Sequence, residues 1–290
     1  MICKSCGSKL NKNSIKFGLN PKSNDYLKKK IYKNKFYDLA ITDCNSCNLI
    51  QIIDPIFYKD ITPHYNWIIN KEEDKHHSKV VKLILNKKLL KKNSKILGFS
   101  QYDQTLINEL NKNNFRKTRI LNLKEDCGIE DNNLRQEVVQ NYLNKEISEI
   151  VVNKYGKFDV LICCKLLEHT QNIDNFFDFA KGLLNKSGIF IIDVPDCEKS
   201  LIQGNISMIW EEHIFYFVKK TLISTFQLHG FKKKNFFVFP YKQENALIGI
   251  FKLKSTKKIS YKKDKLFENY KKKLIKYKYK INNILKKYIK

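Results

Sequence analysis

Four of the eight cysteines have a spacing that makes a metal site. Cys3 and Cys6, then Cys44 and Cys47, form two C-x2-C pairs. Two residues between thiolates let a tight knuckle present both sulfurs to one tetrahedral ion, and two knuckles supply four ligands. The knuckles read Cys3-Lys-Ser-Cys6-Gly7 and Cys44-Asn-Ser-Cys47-Asn48. Each is followed by a residue that tolerates the left-handed backbone such a turn needs. The 37 residues between the pairs leave room for a small hairpin. Four sulfurs close the coordination sphere, so the expected zinc is structural. A redox role would need a lone C-x-x-C beside a βαβ unit. Cys127, Cys163, Cys164 and Cys197 are scattered through apolar or loop contexts and read as small core residues or bystanders. Two Glu-His pairs, Glu168-His169 and Glu212-His213, are the other groups whose types suit chemistry near neutral pH.

The elements around these groups follow from periodicity. Val80, Val81, Leu83, Ile84, Leu85, Leu89 and Leu90 suit a helix. Short apolar runs follow at 95–99, 119–123, 158–163 and 189–194, with helices expected over about 103–113, 134–154 and 172–185. Strands alternating with such helices predict an α/β fold, Rossmann-like, with a mostly parallel sheet covered by helices on both faces. A helix near 219–229 precedes two closing strands, 235–239 and 246–253, expected to be antiparallel. The organisation is then a zinc-binding module over 1–70, the Rossmann-like domain over 71–254 and a basic helical tail over 255–290. Ligands in such sheets bind beyond the carboxyl ends of the strands.

Composition narrows the class. The chain has 290 residues, 42% hydrophobic, with 10 Gly and 5 Pro, which excludes wholesale disorder and collagen-like structure. No apolar run approaches a membrane span, and the N-terminus lacks a signal-peptide core. A soluble cytoplasmic protein is expected. The net charge of +26 suggests an anionic partner, but only Arg116, Arg119 and Arg135 carry the guanidinium that reads bases and phosphates. Lys, Asn and Ile are all abundant and share AT-rich codons, so composition bias accounts for much of the charge. A nucleic-acid partner is therefore disfavoured. The tail alone holds 14 Lys against Asp264 and Glu268, a net of +12, with apolar residues from Leu266 to Tyr288 at helical spacing. It reads as an amphipathic helix, either lying solvated on the domain or facing an anionic surface or a partner.

Three further segments carry a resemblance. After the knuckles and the alternating sheet come Leu166-Leu-Glu-His169, Asp193-Val-Pro-Asp196 and Trp210-Glu-Glu-His-Ile-Phe-Tyr-Phe217. In that order they resemble the class I S-adenosylmethionine-dependent methyltransferases, and among them the zinc-module group that contains deoxysugar C-methyltransferases. The segment Phe57-Tyr-Lys-Asp, Tyr65-Asn-Trp67 and His77 is similar to the substrate side of that group. The likeness covers roughly residues 1–253. It implies S-adenosylmethionine as cofactor and a small acceptor, a nucleotide-linked keto-sugar, whose carbon is methylated. It implies His213 as the base, oriented or charged by Glu212, with Tyr65 binding substrate or stabilising an enolate and His169 nearby. A structural His213, a packing Tyr65 and a hydrogen-bonded Glu168-His169 loop pair are the alternatives that the residues leave open.

The first-strand motif departs from the pattern. Alignment puts Gly98 at the motif acid, and Ser100, Tyr102 and Gln104 at its three glycines. Asn122 stands where an acid normally binds the ribose hydroxyls. An amide still hydrogen-bonds there, without the strength a charge adds. Gly98, Ser100, Asn122, Cys164 and Glu168 are the expected cofactor contacts. Two readings follow, a cofactor held in a shifted or weakened pose, or a methyltransferase shape that has kept binding and lost transfer. The oligomeric state is not legible.

Overall fold

The computed structural model describes residues 1–23, 35–61, 74–131, 136–254 and 262–288. Strands β1 (Ile15–Pro21) and β2 (Phe36–Asp43) form the antiparallel hairpin that fills the gap between the knuckles. Strand β3 (Ile50–Ile52) adds to β2, and the short helix α1 (Tyr58–Ile61) follows. Helix α2 (His77–Asn86) buries Val80, Val81 and Ile84 and leads into β4 (Ile96–Gly98). Then come α3 (Gln104–Lys112), β5 (Thr118–Ile120), α4 (Leu123–Cys127), α5 (Lys145–Tyr155), β6 (Phe158–Cys164), α6 (Ile173–Leu183) and β7 (Leu184–Asp196). The chain continues through α7 (Glu198–Gln203), β8 (Phe215–Tyr216), α8 (Lys219–Leu228), β9 (Phe231–Phe239), β10 (Asn245–Leu253) and α9 (Leu266–Tyr288).

The large sheet runs β5-β4-β6-β7-β10-β9. Its first four strands are mutually parallel, while β10 and β9 close it antiparallel. Strand β6, Phe-Asp-Val-Leu-Ile-Cys-Cys, is apolar nearly throughout because both its faces are covered. Val160, Ile162 and Cys164 point into the core beneath α2 and α3, and Leu161 and Cys163 into the opposite core beneath α5, α6 and α8. Helix α6 presents Ile173, Phe176, Phe177, Ala180 and Leu183 to that second core, with the Asn172 side chain capping its first turn. Among the described residues, no helix is long and apolar enough to cross a membrane.

Several stretches differ from the periodicity, the first two because a side chain caps a helix. The run 119–123 ends early as a strand because Asn122 accepts hydrogen bonds from Lys124 N and Glu125 N, starting α4. The expected helix over 134–154 is instead a 3-10 turn over Gln136–Asn141 and then α5, whose cap is the Asn144 side chain on Ile147 N. Strand β7 begins at Leu184, directly after α6, five residues earlier than the apolar run suggests.

A second sheet, β1-β2-β3-β8, contains a link that no local pattern announces. Its last member, β8, belongs to the segment immediately after His213 and pairs Tyr216 with Ile50 and Phe215 with Gln51. The zinc module is thereby hydrogen-bonded into the middle of the larger domain.

Candidate active site

The cysteine knuckles superimpose in their bonding. Gly7 N donates to Cys3 O and Asn48 N to Cys44 O, while Cys3 N donates to Ser8 O and Cys44 N to Leu49 O. Gly7 and Asn48 are left-handed, at φ 70° and 61°. Sulfurs of Cys3 and Cys47 are 3.7 Å apart, those of Cys6 and Cys44 3.4 Å, and all four lie within 4.8 Å of one another. Tetrahedral Zn–S bonds of about 2.3 Å need sulfur separations of about 3.8 Å. No disulfide joins them. The four thiols fit one closed zinc site.

The second constellation stands at the carboxyl ends of β4, β6 and β7. Lys165, directly after β6, has φ 52°, which a non-glycine residue rarely adopts, and turns the chain outward there. The 3-10 turn Leu167–His169 follows. The Glu168 carbonyl accepts from Ile214 N at 2.7 Å, and His169 Nδ1 donates to the Glu212 carbonyl at 3.0 Å. That bond leaves the lone pair of a neutral His169 on Nε2. The rings of His169 and His213 meet edge to face at 4.8 Å, and Trp210 lies against His213 at 4.9 Å. One carboxylate oxygen of Glu168 and one ring nitrogen each of His169 and His213 lie within 4.8 Å of one another. Desolvation, reinforced by the His169 imidazole, holds His213 well below its usual pKa, so its ring is neutral near pH 7.

These groups line a cavity of about 260 Å³ whose walls include Tyr102, Lys165, Trp210 and Glu244. A neighbouring cavity of about 380 Å³ shares Lys165, Pro195, Gln243 and Glu244 with it, so the two adjoin at the strand ends. Its size suits a small ligand. Trp210 Nε1 is buried and has no hydrogen-bond partner among the described residues.

The turn after β4 is organised differently from a glycine loop. Asp103 is fully buried, and its Oδ2 accepts from Phe99 N at 2.5 Å and Ser100 N at 2.9 Å. Its Oδ1 accepts from Cys164 N at 2.6 Å, tying the ends of β4 and β6 together. Ser100 Oγ takes the Tyr102 N–H. The backbone donors that a glycine loop would offer to a cofactor are therefore engaged within the chain. Burial pushes Asp103 up to about 7, against the pull of those N–H donors. Gly98 is where it is because Asp103 lies over it.

The remaining expected residues are placed as follows. Cys164 packs in the apolar core, and both its backbone N–H and its thiol meet the Asp103 carboxyl. The Asn122 Oδ1 is occupied as the α4 cap. Tyr65 lies outside the described residues. Glu212 is buried and contributes its carbonyl to His169. Sequence reasoning missed Asp103, whose only signal was an acid between two glycine positions. It named His77 and Asp193 in separate motifs but missed that, with His76, they form a buried cluster at the end of β7. His76 Nε2 and His77 Nε2 both donate to Asp193 Oδ2, at 2.8 and 2.9 Å, and His76 Nδ1 meets Tyr241 OH at 2.8 Å. Burial raises the Asp193 pKa, but the two imidazoles outweigh it and hold the carboxyl well below its usual range.

Comparison with known proteins adds two family matches. Residues 3–60 match a family model described as "Putative zinc binding domain", and residues 78–234, more than half of the chain, match one described as "Methyltransferase domain". No curated protein matches. Among solved structures, the chain is similar to 1,6-didemethyltoxoflavin-N1-methyltransferase of Burkholderia thailandensis, solved with 1,6-didemethyltoxoflavin and S-adenosylhomocysteine. The identity is 11%, the match covers 63% of this chain and 80% of that one, and the TM-score is 0.41. It is also similar to an S-adenosylmethionine-dependent methyltransferase of Clostridium acetobutylicum, at 13% identity over 64% and 94% of the two chains, with TM-score 0.40. With its doubly covered sheet, its strand-end cleft and the family match over 78–234, the chain belongs to the methyltransferase-domain family, the S-adenosylmethionine-dependent enzymes that its sequence resembles.

Proposed function

We propose that the chain methylates a carbon of a small keto acceptor, with His213 as the general base. The observation that carries this reading is the convergence of Glu168, His169 and His213 on one cleft, with His213 kept neutral. S-adenosylmethionine supplies an electrophilic methyl group when bound. A neutral C–H is not a nucleophile, so a base must first draw off the proton next to the ketone. His213 accepts it on a ring nitrogen, and the neighbouring Glu168 carboxylate offsets the charge that the imidazole gains. Trp210, which lines the cleft and whose Nε1 has no hydrogen-bond partner among the described residues, is the proposed donor to the oxygen on which the enolate charge develops. His169, fixed through Nδ1 by the Glu212 carbonyl, lines the same cleft.

Glu168 and the strand ends at Gly98, Ser100 and Cys164 are the proposed cofactor side, with Asn122 at the ribose end. Because the Phe99, Ser100 and Tyr102 amides are engaged internally, the cofactor pose is shifted from that of a glycine-loop enzyme and its affinity is reduced. A nucleotide-linked keto-sugar is the acceptor that the resemblance suggests. The test uses a panel of nucleotide-linked ketohexoses, with His213→Gln against the unaltered chain. Turnover is expected to fall by about 10² to 10⁴, with loss of deuterium uptake next to the ketone in heavy water. Undiminished turnover in His213→Gln assigns the ring to structure. Lost turnover with retained deuterium uptake moves the base to His169.

A further inference from the structure

We propose that the exposed half of α9 docks on an anionic lipid surface, a property beyond the methyltransferase reading. Phe267 and Tyr270 are buried against α7 and the segment after it, where Tyr270 OH donates to Asn205 O and Tyr277 OH to Gln203 O. From Ile275 to Tyr288 every residue is exposed. Yet the apolar stripe that begins with Phe267 and Tyr270 does not stop at the edge of the body. At 100° per residue, Ile281, Ile284, Leu285 and Tyr288 continue the same face, and they are 54%, 46%, 46% and 82% exposed. These 14 residues extend it by about 21 Å.

The charge around the stripe selects the occupant. Helix α9 carries eight lysines and Glu268, a net of 8 − 1 = +7. Lys278 and Lys280 flank the apolar face, in position to lay their alkyl stems beside it and their ammonium groups among headgroups. A second copy of α9 would set like charge against like charge along the whole contact. A nucleic acid would meet the lysines but leave the isoleucines in water, and α9 contains no arginine. An anionic bilayer surface satisfies both halves of the helix at once.

The test is co-sedimentation of the full chain with phosphatidylcholine vesicles, and with vesicles containing about one third phosphatidylserine. The expected result is binding to the anionic vesicles alone, weakened by salt. Each lysine removed should weaken it about fivefold, so Lys280→Gln with Lys286→Gln and Lys287→Gln should cost about a hundredfold. Ile281→Asp with Leu285→Asp lies beyond the docked turns, and circular dichroism checks that the fold is kept. That pair should abolish binding. No binding to anionic vesicles, or undiminished binding by the aspartate pair, overturns the proposal. So does a lipid-free dimer that the aspartate pair converts to monomer, or tighter binding to polyuridylate than to the anionic vesicles.

Discussion

A Cβ built on Gly98 would lie 2.9 Å from Asp103 Cβ and 2.8 Å from Ile107 Cδ1, so the two positions are one feature. The acid absent from position 98 returns five residues later as Asp103, whose carboxyl reaches back over Gly98 to bind three backbone amides. The aligned sequence displayed the glycine as a loss. The compensation stayed hidden because it depends on a turn whose path only the fold defines. Asp103→Asn leaves an amide facing donors it cannot all satisfy, so the variant should be less stable by about 2 to 4 kcal/mol in urea unfolding. Gly98→Ala should be costly alone and less so in an Asp103→Gly background, a coupling of about 0.5 to 3 kcal/mol. The pH dependence has a definite sign. Asp103 holds its proton in the folded chain up to about 7 and loses it near 4 when unfolded. Its contribution is therefore fully present below about 4 and is lost as the pH rises toward 7. His213, held low, acts in the opposite sense, since protonation of the unfolded chain costs stability below about 6.5. Subtracting Asp103→Asn from the unaltered chain at each pH isolates the first slope, and parallel curves would remove Asp103 from it.

At the scale of elements, the alternation of strands and helices was legible because the sheet is buried on both faces, and each strand reads as an apolar run. The knuckles were legible because their geometry is local, two residues between sulfurs and a left-handed residue after each pair. What misled was capping. Asn122 and Asn144 each start a helix with a side-chain bond, cutting short the strand at 119–123 and the helix at 134–154. The zinc site yields the prediction at this scale. Chain purified without chelator should carry one zinc, and Cys44→Ser should lose it with a marked fall in melting temperature. Metal binding is part of the folding free energy of such a module. Retained zinc in Cys44→Ser, by metal analysis, would contradict the site.

In the whole molecule, the zinc module and the cleft are joined through residues 213–216. Ile214 N donates to the Glu168 carbonyl while Ile214 O accepts from Ile52 N, so this short segment is bonded to the cleft-lining turn at Glu168 on one side and to the zinc sheet on the other. His213 is held at the start of it. The sequence contains both motifs but no trace of that pairing, because β8 is two residues long and its partner lies more than 160 positions away. On the proposed reading, the cleft at the ends of β6 and β7 takes the cofactor despite the altered turn after β4. The most direct measurement is calorimetric titration with S-adenosylhomocysteine. It should give one site per chain with weak affinity, lowered a further 10- to 100-fold or so by Glu168→Gln and unchanged by His213→Gln. No heat with S-adenosylhomocysteine or S-adenosylmethionine at about millimolar concentration would leave a methyltransferase shape without its cofactor.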